Sequence, residues 1–236
     1  MKAVIVAAGL STRMYPMIKG EFPKCMLDIG NTSIIERAID SLIRCGIGER
    51  DICIVVGYGK EVIELDILDY DITVIHNPFY EHCNNMASLW FAKDFVGSDS
   101  FIYLHGDLIF DTEILERLIH SPEEDMLVVE DKPCDEEDMK IIMNIKGEVI
   151  KSSKDIPSDE ATGEWIGMAK FYRPKLLFDV IDHLLEKKEL HAYDTAAFNM
   201  MHELGFSITA YFIKNLPWIE IDFPKEYELA CQMNWK

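Results

Sequence analysis

The sequence predicts an α/β protein with a mixed, mostly parallel central sheet flanked by helices and a small acceptor-side mixed sheet. Three observations carry this. Short apolar runs bounded by turn residues alternate with helical periodicity through the first half. The first run, Val4-Ile5-Val6, ends in Ala7-Ala8-Gly9, small residues that let a ligand approach the backbone. From Asp125 onward, strand-like runs follow one another between acidic turns, the pattern of a mixed sheet.

The elements follow in order. After the first strand, Ser33 to Cys45 carries Ile34, Ile35, Ala38, Leu42 and Ile43 at helical spacing, and Ser33 with Glu36 forms a capping box at its start. Ile52 to Val56 reads as a buried strand, and Gly57-Tyr58-Gly59 turns into an acidic helix ending near Leu68. Ile72 to His76 is a third strand, Asn84 to Phe95 a helix and Phe101 to Leu104 a fourth strand. Met126 to Glu130, Met139 to Asn144, Val149 to Lys151 and Trp165 to Tyr172 read as strands. Pro174 to Lys187 and Tyr193 to Glu203 read as helices, Ser207 to Phe212 as a strand and Pro224 to Met233 as a closing helix. The expected organisation is a single domain over 1–236, with 1–124 forming a nucleotide-binding part and 125–236 an acceptor-binding and metal-completing part.

Composition narrows the function. Asp and Glu outnumber Lys and Arg 42 to 23, for a formal charge of −19, which argues against nucleic acid or an anionic membrane as partner. The six cysteines are scattered without a C-x-x-C pair, and no apolar run approaches the ~20 residues of a membrane span. A reducing, cytoplasmic setting with no membrane insertion is the expectation.

Chemistry concentrates at what should be the carboxyl edge of the parallel sheet. Ser11, Thr12 and Arg13 offer hydroxyls, amides and a guanidinium fork, and Lys24 in Pro23-Lys24-Cys25-Met26-Leu27 returns a second cation. Such a set suits a polyphosphate. The loop lacks the G-K-[ST] ending of a P-loop, and Gly57-Tyr58-Gly59 lacks the third glycine of a dinucleotide fingerprint. Asp107 follows the fourth strand in His105-Gly106-Asp107, and Glu220 and Asp222 share one face of Trp218-Ile219-Glu220-Ile221-Asp222 by alternation. Carboxylates from two strand ends, with phosphate oxygens and water, are an ordinary way to hold Mg²⁺. The bland alternative is that these aspartates cap helices: Asp111 or Thr112 near Glu113, and Asp222 after Pro224.

Taken together, A-A-G-L-S-T-R-M-x-P with P-K-x-M-L, H-G-D after a strand and W-x-E-I-D near the C-terminus resemble the sugar-phosphate nucleotidyltransferase superfamily. Asn77-Pro78 with Asn84-Asn85-x-x-Ser88-Leu89 is similar to its small cytidylyltransferases of the phosphocholine type. The resemblance implies a Rossmann-like, GT-A-like fold and transfer of CMP from CTP to a small phosphorylated alcohol or phosphonate. Phosphocholine leads; phosphoethanolamine, 2-aminoethylphosphonate and an amino-acid-derived phosphate stay open.

By the same resemblance Ala8, Gly9, Ser11 and Thr12 would hold the triphosphate, and Arg13 and Lys24 would neutralise departing pyrophosphate. Asp107 and Asp222 would hold Mg²⁺ with Glu220 behind them. Asn85 and Ser88 would read base and sugar with Tyr58 nearby. Lys140 would reach the acceptor phosphate, and Glu164-Trp165-Ile166-Gly167 would flank the acceptor. Trp90, Trp165, Tyr193 and Trp218, with Glu164 and Asp194, are candidates to box an ammonium head group. No catalytic histidine, serine or cysteine is expected, because a phosphomonoester is already mostly dianionic near neutrality. His76, His105 and His183 read as structural, and a homo-oligomer is left open. Two competitors remain: a sugar-1-phosphate nucleotidyltransferase using UTP, dTTP or GTP, and a non-catalytic nucleotide-sensing module.

Overall fold

The structure is a computed structural model describing residues 1–122 and 124–235. β1 (Lys2–Ala7) leads through a loop to the one-turn α1 (Tyr15–Ile18), then the two-residue strands β2 (Asp28–Ile29) and β3 (Thr32–Ser33). α2 (Ile34–Arg44) begins at the expected capping box: Ser33 Oγ accepts from Glu36 N–H and the Glu36 carboxylate accepts from Ser33 N–H. β4 (Ile52–Val56), α3 (Lys60–Asp66) and β5 (Thr73–His76) follow. The segment expected as one helix from Asn84 to Phe95 is two short ones, α4 (Asn85–Trp90) and α5 (Lys93–Val96), followed by Gly97 at positive φ.

β6 (Phe101–His105) comes next, then β7 (Leu108–Phe110) and α6 (Thr112–Ile119), the latter capped by the Asp111 carboxylate. The second half contributes β8 (Met126–Glu130), β9 (Lys140–Met143), β10 (Val149–Ser153), β11 (Gly163–Phe171), α7 (Pro174–Glu186), α8 (Thr195–Glu203), β12 (Thr209–Phe212), β13 (Trp218–Glu220) and α9 (Pro224–Gln232).

One nine-stranded sheet runs through the molecule in the order β10-β9-β11-β6-β1-β4-β5, with β8 pairing β11 and β12. β6, β1, β4 and β5 are parallel, and β11 joins them antiparallel to β6, so the mixed part continues the parallel one. β1 is buried on both faces, as a central parallel strand must be. Its odd residues Ala3, Ile5 and Ala7 face a core with Ile35, Ile39 and Leu42 of α2 and Ile114, Leu115 and Leu118 of α6. Val4 and Val6 face the other, with Leu89, Phe101, Tyr103, Phe171, Phe178 and Phe198. A smaller cluster of Met14, Ile18, Leu27, Ile34, Ile109, Ile221 and Ala230 seats the loop after β1 against β7 and α9. No helix among the described residues is long and apolar enough to cross a membrane.

β7, which periodicity does not reveal, pairs antiparallel with β13, the strand expected from the alternation in 218–222, with Trp218 opposite Phe110 and Glu220 opposite Leu108. This ladder has a consequence for the site. It delivers the C-terminal carboxylates to the end of β6, where Ile221 N–H donates to the Asp107 carbonyl at 3.0 Å.

Candidate active site

A cleft of about 350 Å³ opens at the carboxyl ends of β1 and β6. Among its lining residues are Ala8, Gly9, Ser11, Thr12, Arg13, Lys24, Asn85, Ser88, Asp107, Trp165, Tyr193, Glu220 and Asp222, residues drawn from every part of the chain. Such a volume falls in the range of small-ligand sites.

The loop after β1 is shaped by its own residues. Ser11 takes a left-handed conformation at φ 56°, and its hydroxyl accepts from Lys24 N–H at 2.9 Å, tying the two cation-bearing segments together. A Cβ at Gly9 would meet no protein atom within 4 Å, so this position faces open space. At Gly106 a Cβ would lie 2.7 Å from the Ala7 side chain and 3.0 Å from Val6 O. Only glycine lets the chain turn off β6 this close to β1.

The charged centre forms where these loops meet. Lys24 Nζ lies 2.6 Å from Asp107 Oδ2 and 2.6 Å from Asp222 Oδ1, while Arg13 Nη1 lies 2.6 Å from Asp222 Oδ2. Burial alone would lower the Lys24 pKa, but the carboxylates of Asp107, Asp222 and Glu220 override it and hold the ammonium above its usual value. Burial pushes Asp222 up, and Lys24 and Arg13 more than reverse that, leaving it below the ordinary carboxylate range. Glu220 is raised, first by burial and then by Asp107. Asp222 does not cap α9; the Glu226 carboxylate does, accepting from the N–H groups of Asp222 and Phe223 at 2.8 and 2.6 Å.

These residues fit a hard divalent cation. Asp107 Oδ1 is buried without a hydrogen-bond partner among the described residues, an expensive state for a carboxylate oxygen. His105, Asp107 and Glu220 can each bring one ligand atom within 4.8 Å of the others. The oxygens of Asp107, Glu220 and Asp222 are the donor type such ions prefer.

Beside the carboxylates lies a polar network around His105 and Asp194, and Asp194, expected beside an ammonium head group, is instead fully buried within it. His105 Nε2 lies 3.0 Å from Asp194 Oδ2, and its Nδ1 lies 3.6 Å from Glu220 Oε1. Burial would lower the His105 pKa, but hydrogen bonds to Asp194 and Glu220 outweigh it and push it up to about 10. The ring packs against Gly167, where a Cβ would sit 2.7 Å from Nδ1, and edge-on to Trp165 at 5.0 Å. The fully buried Asp194 also accepts from Tyr103 OH at 2.7 Å. Asn85 Oδ1 accepts from Asp194 N–H at 2.9 Å, and its Nδ2 lies 3.3 Å from His105 Nε2, so the Asn85 amide joins the same network. Ser88 Oγ accepts from Asn77 Nδ2 at 3.0 Å.

Four expected site residues do not line the cleft. Tyr58 donates its hydroxyl to Gly20 O. Lys140 is buried and donates to the carbonyls of Asp135 at 2.7 Å and Asp138 at 3.4 Å, so it ties down the acidic loop. Glu164 turns to Lys132, 2.7 Å away. Trp218 donates its indole N–H to Glu130 at 2.9 Å. Trp90 is likewise engaged with Asp182, so of the four aromatics proposed to box an ammonium only Trp165 and Tyr193 face the cleft. The lining adds Tyr80, Cys83, Asn84, Glu137, Met139 and Lys154. The neighbourhood of His105 to Asp107 in H-G-D, two positions apart at a strand end, was the one sequence signal for any of the missed residues.

Comparison with known proteins agrees with this architecture. The chain is similar to the CTP:phosphoglutamine cytidylyltransferase of Campylobacter jejuni, with 29% identity covering 98% of this chain and 100% of that protein. It is 38% identical to the choline-phosphate cytidylyltransferase of Streptococcus pneumoniae over 40% of each chain. Its fold matches the solved structure of the CTP:phosphocholine cytidylyltransferase of S. pneumoniae with a TM-score of 0.81, at 19% identity, over 98% of this chain and 97% of that one. Residues 3–197 match the MobA-like NTP transferase domain. The chain thus belongs to the MobA-like NTP transferase family and is a nucleotidyltransferase.

Proposed function

We propose that this protein transfers CMP from CTP to a small phosphorylated acceptor and releases pyrophosphate. The observation that carries the reading is the single ammonium of Lys24 held 2.6 Å from both Asp107 and Asp222, with Arg13 on the far oxygen of Asp222. Two carboxylates and two cations at the lip of a phosphate-sized loop are what a transfer between polyanions requires. The full-length similarity to a CTP-dependent enzyme supports CTP as donor.

In this reading an oxygen of the acceptor phosphate attacks the α-phosphorus of CTP, the bond to the β-phosphate oxygen breaks, and pyrophosphate leaves with its electron pair. No proton has to move, because the acceptor is dianionic. Ala8, Gly9, Ser11 and Thr12 hold the triphosphate, and Arg13 and Lys24 neutralise the charge growing on pyrophosphate. Mg²⁺, when bound by Asp107, Asp222 and Glu220, supplies further charge neutralisation. Asn85 and Ser88, both in the cleft wall, read the base and sugar. His105 orients Glu220 and transfers no proton. Residues 1–124 thus supply most of the nucleotide side, and residues 125–236 the acceptor side and the second metal ligand strand.

The acceptor pocket favours a hydrogen-bonding head group. Asn84, Tyr193, Lys154 and Glu137 line the cleft there, and of its three aromatic side chains, Tyr80, Trp165 and Tyr193, the indole of Trp165 is almost wholly buried. An amino-acid-derived phosphate therefore leads, ahead of phosphocholine, whose quaternary ammonium needs stacked rings. Pyrophosphate release should be followed with CTP, UTP, dTTP and GTP against phosphorylated glutamine, phosphocholine, phosphoethanolamine, 2-aminoethylphosphonate and glucose 1-phosphate. CTP with one of the first four is the expected result. Turnover restricted to another nucleotide with the hexose phosphate would overturn the proposal.

A further inference from the structure

Arg13 needs more than one restraint if its guanidinium is to stay aimed. Its side chain is exposed and flexible, and its one short ionic contact among the described residues is the 2.6 Å bridge from Nη1 to Asp222 Oδ2. The Glu137 carboxylate lies 3.5 Å from Nη2 and is itself exposed, so it contributes little in water. Asp222 is also one of the carboxylates suited to a divalent ion, which would share the same oxygens with the guanidinium.

A second restraint comes from the residue that follows Asp222. The Phe223 ring lies beside Arg13, with Cζ 5.4 Å from the ring centroid, inside the range of a cation–π contact. Lys225 Nζ lies 5.6 Å from the same centroid, but it is exposed and pairs at 3.6 Å with Glu226. An aromatic face attracts a guanidinium without taking its N–H groups as hydrogen-bond donors, so those that Asp222 leaves stay available to phosphate oxygens. A second carboxylate in that place would consume up to two of them.

The ring is placed by the same device that places the carboxylates. Ile221, fully buried, donates its N–H to the Asp107 carbonyl at 3.0 Å, and Asp222 and Phe223 donate theirs to the Glu226 carboxylate at 2.8 and 2.6 Å. Three consecutive backbone groups are thus pinned before Pro224 opens α9. Tyr227 and Ala230 of that helix pack into one cluster with Met14, the neighbour of Arg13, so guanidinium and ring are anchored through a shared core.

We propose that Phe223 is a positioning residue for the leaving group: it holds the Arg13 guanidinium, with donors free, where departing pyrophosphate meets it. The inference rests on the transfer reading above and extends it to a residue that reading leaves without a role.

Pyrophosphate titrated by calorimetry in chelator reads the contact without turnover or metal. Phe223→Leu should weaken binding about fivefold, the scale of a partly exposed cation–π contact, and Phe223→Tyr should stay within about twofold of wild type. In an Arg13→Met background, Phe223→Leu should change the affinity less than about 1.5-fold, because the group it positions is gone. Equal weakening in both backgrounds means that the ring acts through packing alone and overturns the proposal, as does wild-type affinity in Phe223→Leu or a Phe223→Tyr as weak as Phe223→Leu. In turnover, Phe223→Leu should raise the inhibition constant of pyrophosphate by a similar factor and leave the acceptor KM within about twofold. A rise confined to the acceptor KM also overturns it. Coupling between Arg13 and Phe223 without transfer to any acceptor in the panel supports this assignment while removing the transfer reading. Transfer without coupling does the reverse.

Discussion

Replacing Lys24 by Met would remove the one cation shared by Asp107 and Asp222. Both carboxylate oxygens lie 2.6 Å from its Nζ, so without it they face each other across roughly 5 Å. At an effective dielectric of about 20, two negative charges at that separation repel by roughly 3 kcal/mol. That agrees with the ~3–5 kcal/mol typical of removing one partner from a buried ion pair. For a protein of this size such a loss corresponds to a fall in Tm of about 6–12 °C. Differential scanning calorimetry in chelator should show it, and millimolar Mg²⁺ should narrow the gap, because a divalent ion can take over between the carboxylates. The kcat/KM for pyrophosphate release should fall about a thousandfold, the scale for losing one aligned charge at the transition state. A variant that melts within a degree of wild type and retains its activity would refute the reasoning on both counts.

Three further outcomes follow from the geometry. Gly106→Ala places a methyl 2.7 Å from Ala7 Cβ and should destabilise by about 1–3 kcal/mol, read in a urea titration. Asp194→Ala leaves Tyr103 OH, His105 Nε2 and Thr195 N–H without their shared acceptor, and should cost roughly 3 kcal/mol in the same titration. Burial pushes the Glu164 carboxyl up to about 8 against the opposing pull of Lys132, so between its ordinary value of 4.5 and 8 the folded state holds a proton that the unfolded chain releases. Stability attributable to Glu164 therefore declines as pH rises through that window, and Glu164→Gln should flatten the slope of Tm against pH there.

The sequence made much of this molecule legible where the signal is local. β1 and β4 announce themselves as apolar runs because both faces are buried, and α2 carries its own start signal in Ser33 and Glu36. The division of one expected helix into α4 and α5 depends on a few residues of turn geometry that periodicity averages away. Alternation signals a strand in 218–222, but β7 has only three residues, and the pairing of β7 with β13 across half the chain is displayed by neither run alone. Asp107 and Asp222 were nonetheless readable as partners, because each follows an apolar run with a chemistry no core position needs. The lysines of the acceptor side were not. Lys140 and Lys154 lie in similar strand-rich, acidic surroundings, and only the path of the 131–139 loop decides that the first is consumed by carbonyls while the second reaches the cleft. His105 reads as structural in the sequence, and its place in the cleft wall depends on space for its ring that Gly167 supplies on a neighbouring strand.

The central claim is that carboxylates from the ends of β6 and β13 converge on one divalent ion beside the phosphate loop. Equilibrium binding of Mn²⁺ in the presence of CTP, followed by electron paramagnetic resonance for wild type, Asp107→Asn and Asp222→Asn, tests it without requiring turnover. Saturable ion binding should weaken at least tenfold, by about 1.4 kcal/mol or more, in each variant. Affinity unchanged by either substitution would contradict it.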